Sequence, residues 1–257
     1  MKKIILSVCA LSAMVFTSCS NEVDMFETIG TPKATIELNI SNDKEMVTTR
    51  TLQTVSDASN WYIKVGNDAQ IKVSELDNKT YKAGTEYTMV VSNYTDINAA
   101  MPITEAGNAY YEGTKTATLN KGTNTVTIDC GTAKNAKLTT STNGLSNVNT
   151  ITEVSINAKQ GTEGGKRNYI FSTDGSAFFF AGEAINCTIS YKYNGTPKTI
   201  NSNIATVDAA TEYKLTLAAN DNGIITLTIT YDDTFAPGDN TNITIDAATG
   251  EEVPSAE

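Results

Sequence analysis

No histidine occurs anywhere in the 257-residue chain. That excludes Ser-His-Asp and Cys-His catalysis and every metal site that uses an imidazole. Chemistry would fall to paired carboxylates, a lone thiol or a lysine. The acids, however, are scattered over outward strand positions and loops rather than gathered toward a cleft. We therefore expect no enzyme, no catalytic residue, no metal and no cofactor. Positive charge is also scarce, with 19 Lys and Arg against 29 Asp and Glu, a net charge of -10. Nothing basic is clustered, so nucleic acid is an unfavourable partner. Long apolar runs are missing too. A spanning helix needs about 20 apolar residues, and no segment reaches that length.

What is present begins at the amino end. Lys2 and Lys3 precede an apolar stretch, Ile4 to Phe16, broken only by Ser7 and Ser12, and the small residues Thr17 and Ser18 then precede Cys19. This reads as a signal peptide over residues 1–18. The stretch around Cys19 resembles a bacterial lipobox, with Phe16 where leucine is usual, the looser form found in Bacteroidetes lipoproteins. The resemblance implies that Cys19 becomes the first residue and carries lipid (palmitate among the acyl chains), with the outer membrane as its partner. Several acyl chains on one cysteine make a durable anchor. Glu22 and Asp24 partly resemble the acidic surface-export signals of such bacteria. Losing Lys2 and Lys3 with the leader moves the net charge from -10 to -12.

Residues 19–32 lack apolar periodicity and read as a tether. From Lys33 onward almost every apolar run alternates with period two: Ile36, Leu38 and Ile40; Tyr87, Met89 and Val91; Val126, Ile128 and Cys130; Val154 and Ile156. Cys187, Ile189 and Tyr191 continue it, followed by Tyr213, Leu215 and Leu217 and by Ile225, Leu227, Ile229 and Tyr231. Threonine fills many outward positions, as suits half-buried strands. The Asn194-Gly195 pair between "CTISYKY" and "TPKTI" is the strongest hairpin signal in the chain. The expected class is all-β, built from sandwiches. A weak repeat, "AGTEYTMVV" (83–91) against "AATEYKLTL" (209–217), argues for two of them, with an insertion at 92–115 in the first copy. We expect sandwiches over 33–134 and 135–246 and a polar tail over 247–257.

Of the four cysteines, Cys9 leaves with the leader and Cys19 is the anchor. An exported Cys130–Cys187 pair could bridge. Each, however, falls on an inward position of a separate domain, so two buried free thiols are expected. The acidic turn "YDDTFAPGDN", with Asp232, Asp233, Asp239 and Asn240, matches no calcium spacing and reads as a solvated loop. Trp61 beside Tyr62 reads as core. Of Tyr110 and Tyr111, one could be an exposed contact. In "AFFFAG" (177–182), Phe178 and Phe180 share one side of a strand and Phe179 points the other way. The expectation is that Phe179 packs against the first domain or a neighbouring molecule.

Several stretches carry a wider resemblance: "IELNIS…VTTRT" (36–51), "YKAGTEYTMVVS" (81–92), "AYYEGTKTATLNKGTNTVTIDC" (109–130) and "ATEYKLTLAANDNGIITLTITYDDT". Together with the lipobox they resemble the two-domain surface lipoproteins of unknown function in Bacteroidetes, allied to the fimbrillins of strand-exchange pili. The resemblance implies two transthyretin-like or immunoglobulin-like sandwiches and a role in pili or adhesion at the cell surface. It also implies that Arg50 stands where an arginine-specific protease cuts fimbrillin precursors. Such a cut frees the first strand, and a strand from the next subunit, here Thr241 to Ile245 with Ile243 and Ile245 as pocket-filling residues, takes its place. Otherwise Arg50 is a solvent-facing arginine on an ordinary connector. A glycan-binding lipoprotein of a nutrient-capture system is the alternative, and it would need exposed aromatics over a shallow groove.

Overall fold

The computed structural model describes residues 31–41, 60–145, 150–161, 167–172, 174–219, 224–233, 236–237, 241–246, 248–249 and 251. Cys19 and Arg50 lie outside them. The first sandwich uses strands β1 (Lys33–Ser41), β2 (Tyr62–Val65), β3 (Ile71–Lys72), β4 (Tyr81–Lys82), β5 (Thr85–Ser92), β6 (Glu112–Leu119) and β7 (Gly122–Asp129). The second uses β8 (Asn135–Gly144), β9 (Ile151–Gln160), β10 (Arg167–Phe171), β11 (Gly175–Phe180), β12 (Ile185–Tyr193), β13 (Thr196–Ile204) and β14 (Glu212–Ala219). It continues with β15 (Ile224–Asp233), β16 (Ala236–Pro237) and β17 (Thr241–Asp246). Among the described residues the helical elements are a single turn, α1 (Ile97–Ala100), and a 3-10 segment at Val73–Asn78.

Both sandwiches follow one plan. The first pairs a β4-β1-β7 sheet with a β3-β2-β5-β6 sheet, and the second repeats this as β11-β8-β14 and β10-β9-β12-β13. Adding seven to each strand number of the first gives the second. The second sandwich then extends its sheet by pairing β15 to β14, and β16 and β17 to β15. In both, the opening strand runs parallel to the seventh: β1 to β7 and β8 to β14. The class is thus all-β with tandem sandwiches, as the alternation predicts.

The alternation also predicts most of the cores. Ile36, Met89, Val91, Val126, Ile128 and Cys130 fill the first together with Trp61. Ile156, Cys187, Ile189, Leu215, Leu217 and Leu227 fill the second together with Leu138 and, against expectation, Phe179. Facing threonines on the solvent side leave one stripe per strand to bury, which is why a period of two suffices. At the hairpin signal Asn194 and Gly195 have φ of 48° and 79°, with Tyr193 opposite Thr196. Both central residues therefore occupy the left-handed region that a type I′ turn demands.

The sequence repeat is corrected by the topology. "AGTEYTMVV" is β5, whose counterpart is β12, whereas "AATEYKLTL" is β14, the counterpart of β7. What the two stretches share is local. The Tyr87 hydroxyl accepts from the Lys82 N–H at 3.2 Å, and the Tyr213 hydroxyl accepts from the Asp208 N–H at 2.9 Å. Each tyrosine pins the chain five residues upstream, a corner device that recurs in sandwiches. The Thr-Glu-Tyr motif thus marks two corners of the same kind at unequal places in the plan.

Candidate functional site

Three features offer candidate sites: the opening strand, the closing strand and the joint between the sandwiches. β1 forms a strand because Ala34 and Ile36 are buried while Leu38 and Ile40 pack half-buried against the same core. It lies between β7, with which it aligns from Ala34–Gly122 to Ser41–Asp129, and β4, which it meets only at Lys33 and Ala34. Side chains reinforce the β7 ladder. The Asn124 amide donates to the Thr35 carbonyl at 3.2 Å, and the Thr125 hydroxyl donates to the Glu37 carboxylate at 3.0 Å. The strand read as donor, 241–245, forms most of β17, which pairs along β15 with Ile243 opposite Leu227 and Ile245 opposite Ile225.

The joint is built from the β5–β6 connection, residues 93–111. Where β12 and β13 are joined by the tight Asn194-Gly195 turn, this connection runs out through α1, capped by the Asp96 carboxylate accepting from the Asn98 and Ala99 N–H groups. It then crosses to the second sandwich. Ala100, Met101 and Tyr110 from the first form a small cluster with Phe180 from the second, lined by Tyr94, Ile97 and Phe178. Backbone bonds stitch the crossing, from the Asn168 N–H to the Ile103 carbonyl at 2.9 Å and from the Phe178 N–H to the Ala106 carbonyl at 2.8 Å. Gly107 turns at a φ of +73°, where a Cβ would sit 2.9 Å from the Ala100 carbonyl oxygen. Only glycine fits that bend.

Arg167 closes the joint, and its side chain is only 1% exposed. Its guanidinium donates to the carbonyls of Pro102, Glu105 and Ala106. Its Cζ lies 5.3 Å from the centre of the Phe179 ring, a cation–π contact. Burial lowers its pKa to about 10, so at neutral pH it remains a cation held by three carbonyl dipoles and a ring. Asn135 works from the other side. Its Oδ1 accepts from the Tyr110 N–H at 3.1 Å, and its amide donates to the Asn108 carbonyl at 2.8 Å. The Gln160 side chain clasps the Phe180 backbone, donating to its carbonyl and accepting from its N–H, both at 2.8 Å.

The aromatic expectations divide here. The alternation within the phenylalanine run holds, but its sides are reversed. Phe179 is fully buried in the core of its own sandwich, while Phe178 and Phe180 face the first. The reason lies in the sheet: β11 is an edge strand on β8, and only its Ala177–Phe179 side faces β9 and β12 across the sandwich. Tyr110 is buried at the joint, its hydroxyl donating to the Glu112 carboxylate at 2.6 Å. Burial, then that bond, raises its pKa. Tyr111 is half-buried against the first core, so neither tyrosine is exposed. Trp61 is buried in that core, away from any role as a sugar platform. Among the described residues, the large apolar side chains left exposed are Ile103, whose carbonyl accepts from the Asn168 N–H at the joint, and Ile170, two residues further along β10.

Cys130 and Cys187 are free and buried, and burial pushes each thiol up to about 12. Among the described residues no group of three His, Cys, Asp or Glu side chains could hold a metal ion. In the acidic turn, Asp239 and Asn240 lie outside the described residues. Sequence reasoning missed Arg167 altogether. The available signal was an arginine, one of two in the chain, opening a strand-like "RNYIF" stretch.

Fold and joint together define a tandem β-sandwich protein. Residues 32–248 match the DUF4493 model, a domain of unknown function, and the chain belongs to that family. No curated protein matches it. Among solved structures it is similar to a fimbrial assembly protein from Parabacteroides distasonis, at 10% identity and a TM-score of 0.46, covering 82% of this chain and 98% of that one. It is also similar to a candidate cell adhesion protein from Bacteroides eggerthii, at 12% identity and a TM-score of 0.41, covering 74% and 86%. A third is a candidate polysaccharide binding protein from Bacteroides thetaiotaomicron, at 6% identity and a TM-score of 0.37, covering 78% and 96%.

Proposed function

We propose that this protein is a non-catalytic, lipid-anchored protein of the outer membrane, displayed at the cell surface as a fimbrial subunit or adhesin. Its mature chain begins at acylated Cys19, and its two sandwiches divide at 134/135. Cleavage after Arg50 detaches β1, and the strand at 241–245 of the next subunit takes the vacated place between β4 and β7. The observation that carries this reading is the setting of β1. It contributes Ala34 and Ile36 to a core, yet two of its residues alone pair with β4, and it precedes the proposed cut. Losing it exposes a row of β7 backbone groups beside an apolar slot, which a strand with apolar residues at alternate positions would fill. The cost is that β17 must first leave β15.

Mass spectrometry of the membrane fraction should show an acylated peptide starting at Cys19, and Cys19→Ala should abolish processing and display. Arginine-specific digestion should cut at Arg50 and spare Arg167, then yield band ladders that resist mild denaturation. Stable monomers after the cut, or unchanged assembly in cells carrying Arg50→Ala, would remove the strand-exchange step. Strong, specific binding on a glycan array would favour the nutrient-capture reading instead.

A further inference from the structure

We infer that the fold is built to carry tension: a pull between the two chain ends passes lengthwise, in shear, through both sandwiches. The chain enters β1 at Lys33 and leaves β7 at Asp129. Those strands run parallel, in register from Ala34–Gly122 to Ser41–Asp129. Entry and exit therefore sit at opposite ends of one ladder. Pulling them apart slides β1 along β7 and loads every bond of the ladder together. Had the chain entered and left at the same end, the bonds would open one by one, and each alone is weak.

The second sandwich has the same sense. The chain enters β8 at Asn135 and leaves β17 at Asp246. β14 is parallel to β8, β15 is antiparallel to β14, and β17 is antiparallel to β15. β17 therefore points the same way as β8, and each ladder between them is loaded lengthwise. The short link between the sandwiches is itself stitched down. Ala133 bridges to Tyr111, and the Lys134 N–H donates to the Tyr110 carbonyl at 2.8 Å. Side chains lock β1 against sliding, with the Asn124 amide on the Thr35 carbonyl and Ile36 in the core.

Only the source of the load, an anchored amino end and a contact held further along in the chain before any cut after Arg50, rests on the proposed function. The mechanical property belongs to the chain itself. Single-molecule force spectroscopy tests it on the full chain, held in one case by tags at both ends. In the other case it is held by the amino-end tag and a click-reactive residue at position 121. Lys121 is exposed in the β6–β7 turn, next to the start of β1, so this geometry peels β1 from β7 bond by bond. The first sandwich should yield at several times more force in the end-to-end geometry, with the same melting temperature for both labelled chains. Equal forces in the two geometries, or a lower end-to-end force, would overturn the inference. An absent lipid on Cys19 or absent ladders would overturn the proposed function and leave the force comparison standing.

Discussion

The two sandwiches share seven strands in one arrangement, yet the same connection does opposite things in each. Between β12 and β13 the chain reverses at Asn194-Gly195. Between β5 and β6 it leaves the sheet for residues 93–111 and docks on the other sandwich. The sheets differ as well. β14 carries β15 and then β17 on its outer side, whereas β7 ends its sheet among the described residues. One plan has thus produced a unit specialised for the joint and a unit specialised for the closing strand. The lesson is that connections, being free of the core's packing constraint, are where duplicated sandwiches diverge.

The sharpest way to break this comparison is Phe179→Ala. It opens a cavity in the second core and removes the ring beneath Arg167, so it should cost about 3–5 kcal/mol. Calorimetry should show the second sandwich melting early and the first following separately. A single transition of unchanged midpoint would refute the assigned packing.

Arg167→Leu isolates the joint. It strips three carbonyls of their partner and should cost roughly 2–4 kcal/mol. Hydrogen exchange should quicken at 93–111 while the cores keep their protection. If protection falls in the cores instead, Arg167 supports the second sandwich rather than the joint.

Two glycines compare the sandwiches at close approaches. A Cβ at Gly113 would lie 2.2 Å from the Asp129 carbonyl oxygen, and one at Gly144 would lie 2.7 Å from the Ala218 Cα. Each substitution to alanine should cost about 1–3 kcal/mol by overpacking, with Gly113→Ala the worse in chemical denaturation. The reverse order would show the second sheet to be the less yielding.

The thiols come last, with serine effects no larger than those of the glycines and alanine effects smaller. Cys187→Ser and Cys130→Ser should each cost about 1–3 kcal/mol for a buried hydroxyl, and the alanine variants less. Both folded thiols are raised to about 12, above their ordinary value of 9.0. The stability they contribute is therefore fully present below about pH 9 and lost as pH rises through about 12. In the chain from Ser20 onward neither thiol should react with a thiol reagent at pH 8 until denaturant is added. Prompt reaction of either in the native state would contradict its burial.

Much of the fold was legible because a half-buried strand needs only an alternating stripe. Ile189, Leu215 and Leu227 show their burial in their spacing, and Asn194-Gly195 shows its turn in its residue types. The joint was not legible, because its contacts join residues some sixty positions apart through irregular backbone that has no period. Arg167 and the carbonyls of 102–106 illustrate this. The Thr-Glu-Tyr repeat misled for a related reason: it records a local corner, and local pinning is indifferent to which strand of the sheet it serves.

By itself the sequence determined the all-β class, the buried free thiols, the lack of imidazole chemistry and the inward face of most strands. These depend on residue type and on a period of two. Only the tertiary structure decided that Phe179 belongs to its own core, that the 93–111 connection spans both sandwiches, and that β1 lies parallel to β7. A strand's inward stripe says that it must be covered. Which sheet covers it, and in which direction its neighbour runs, is set by long-range pairing between segments whose patterns are alike, and alternation carries no address.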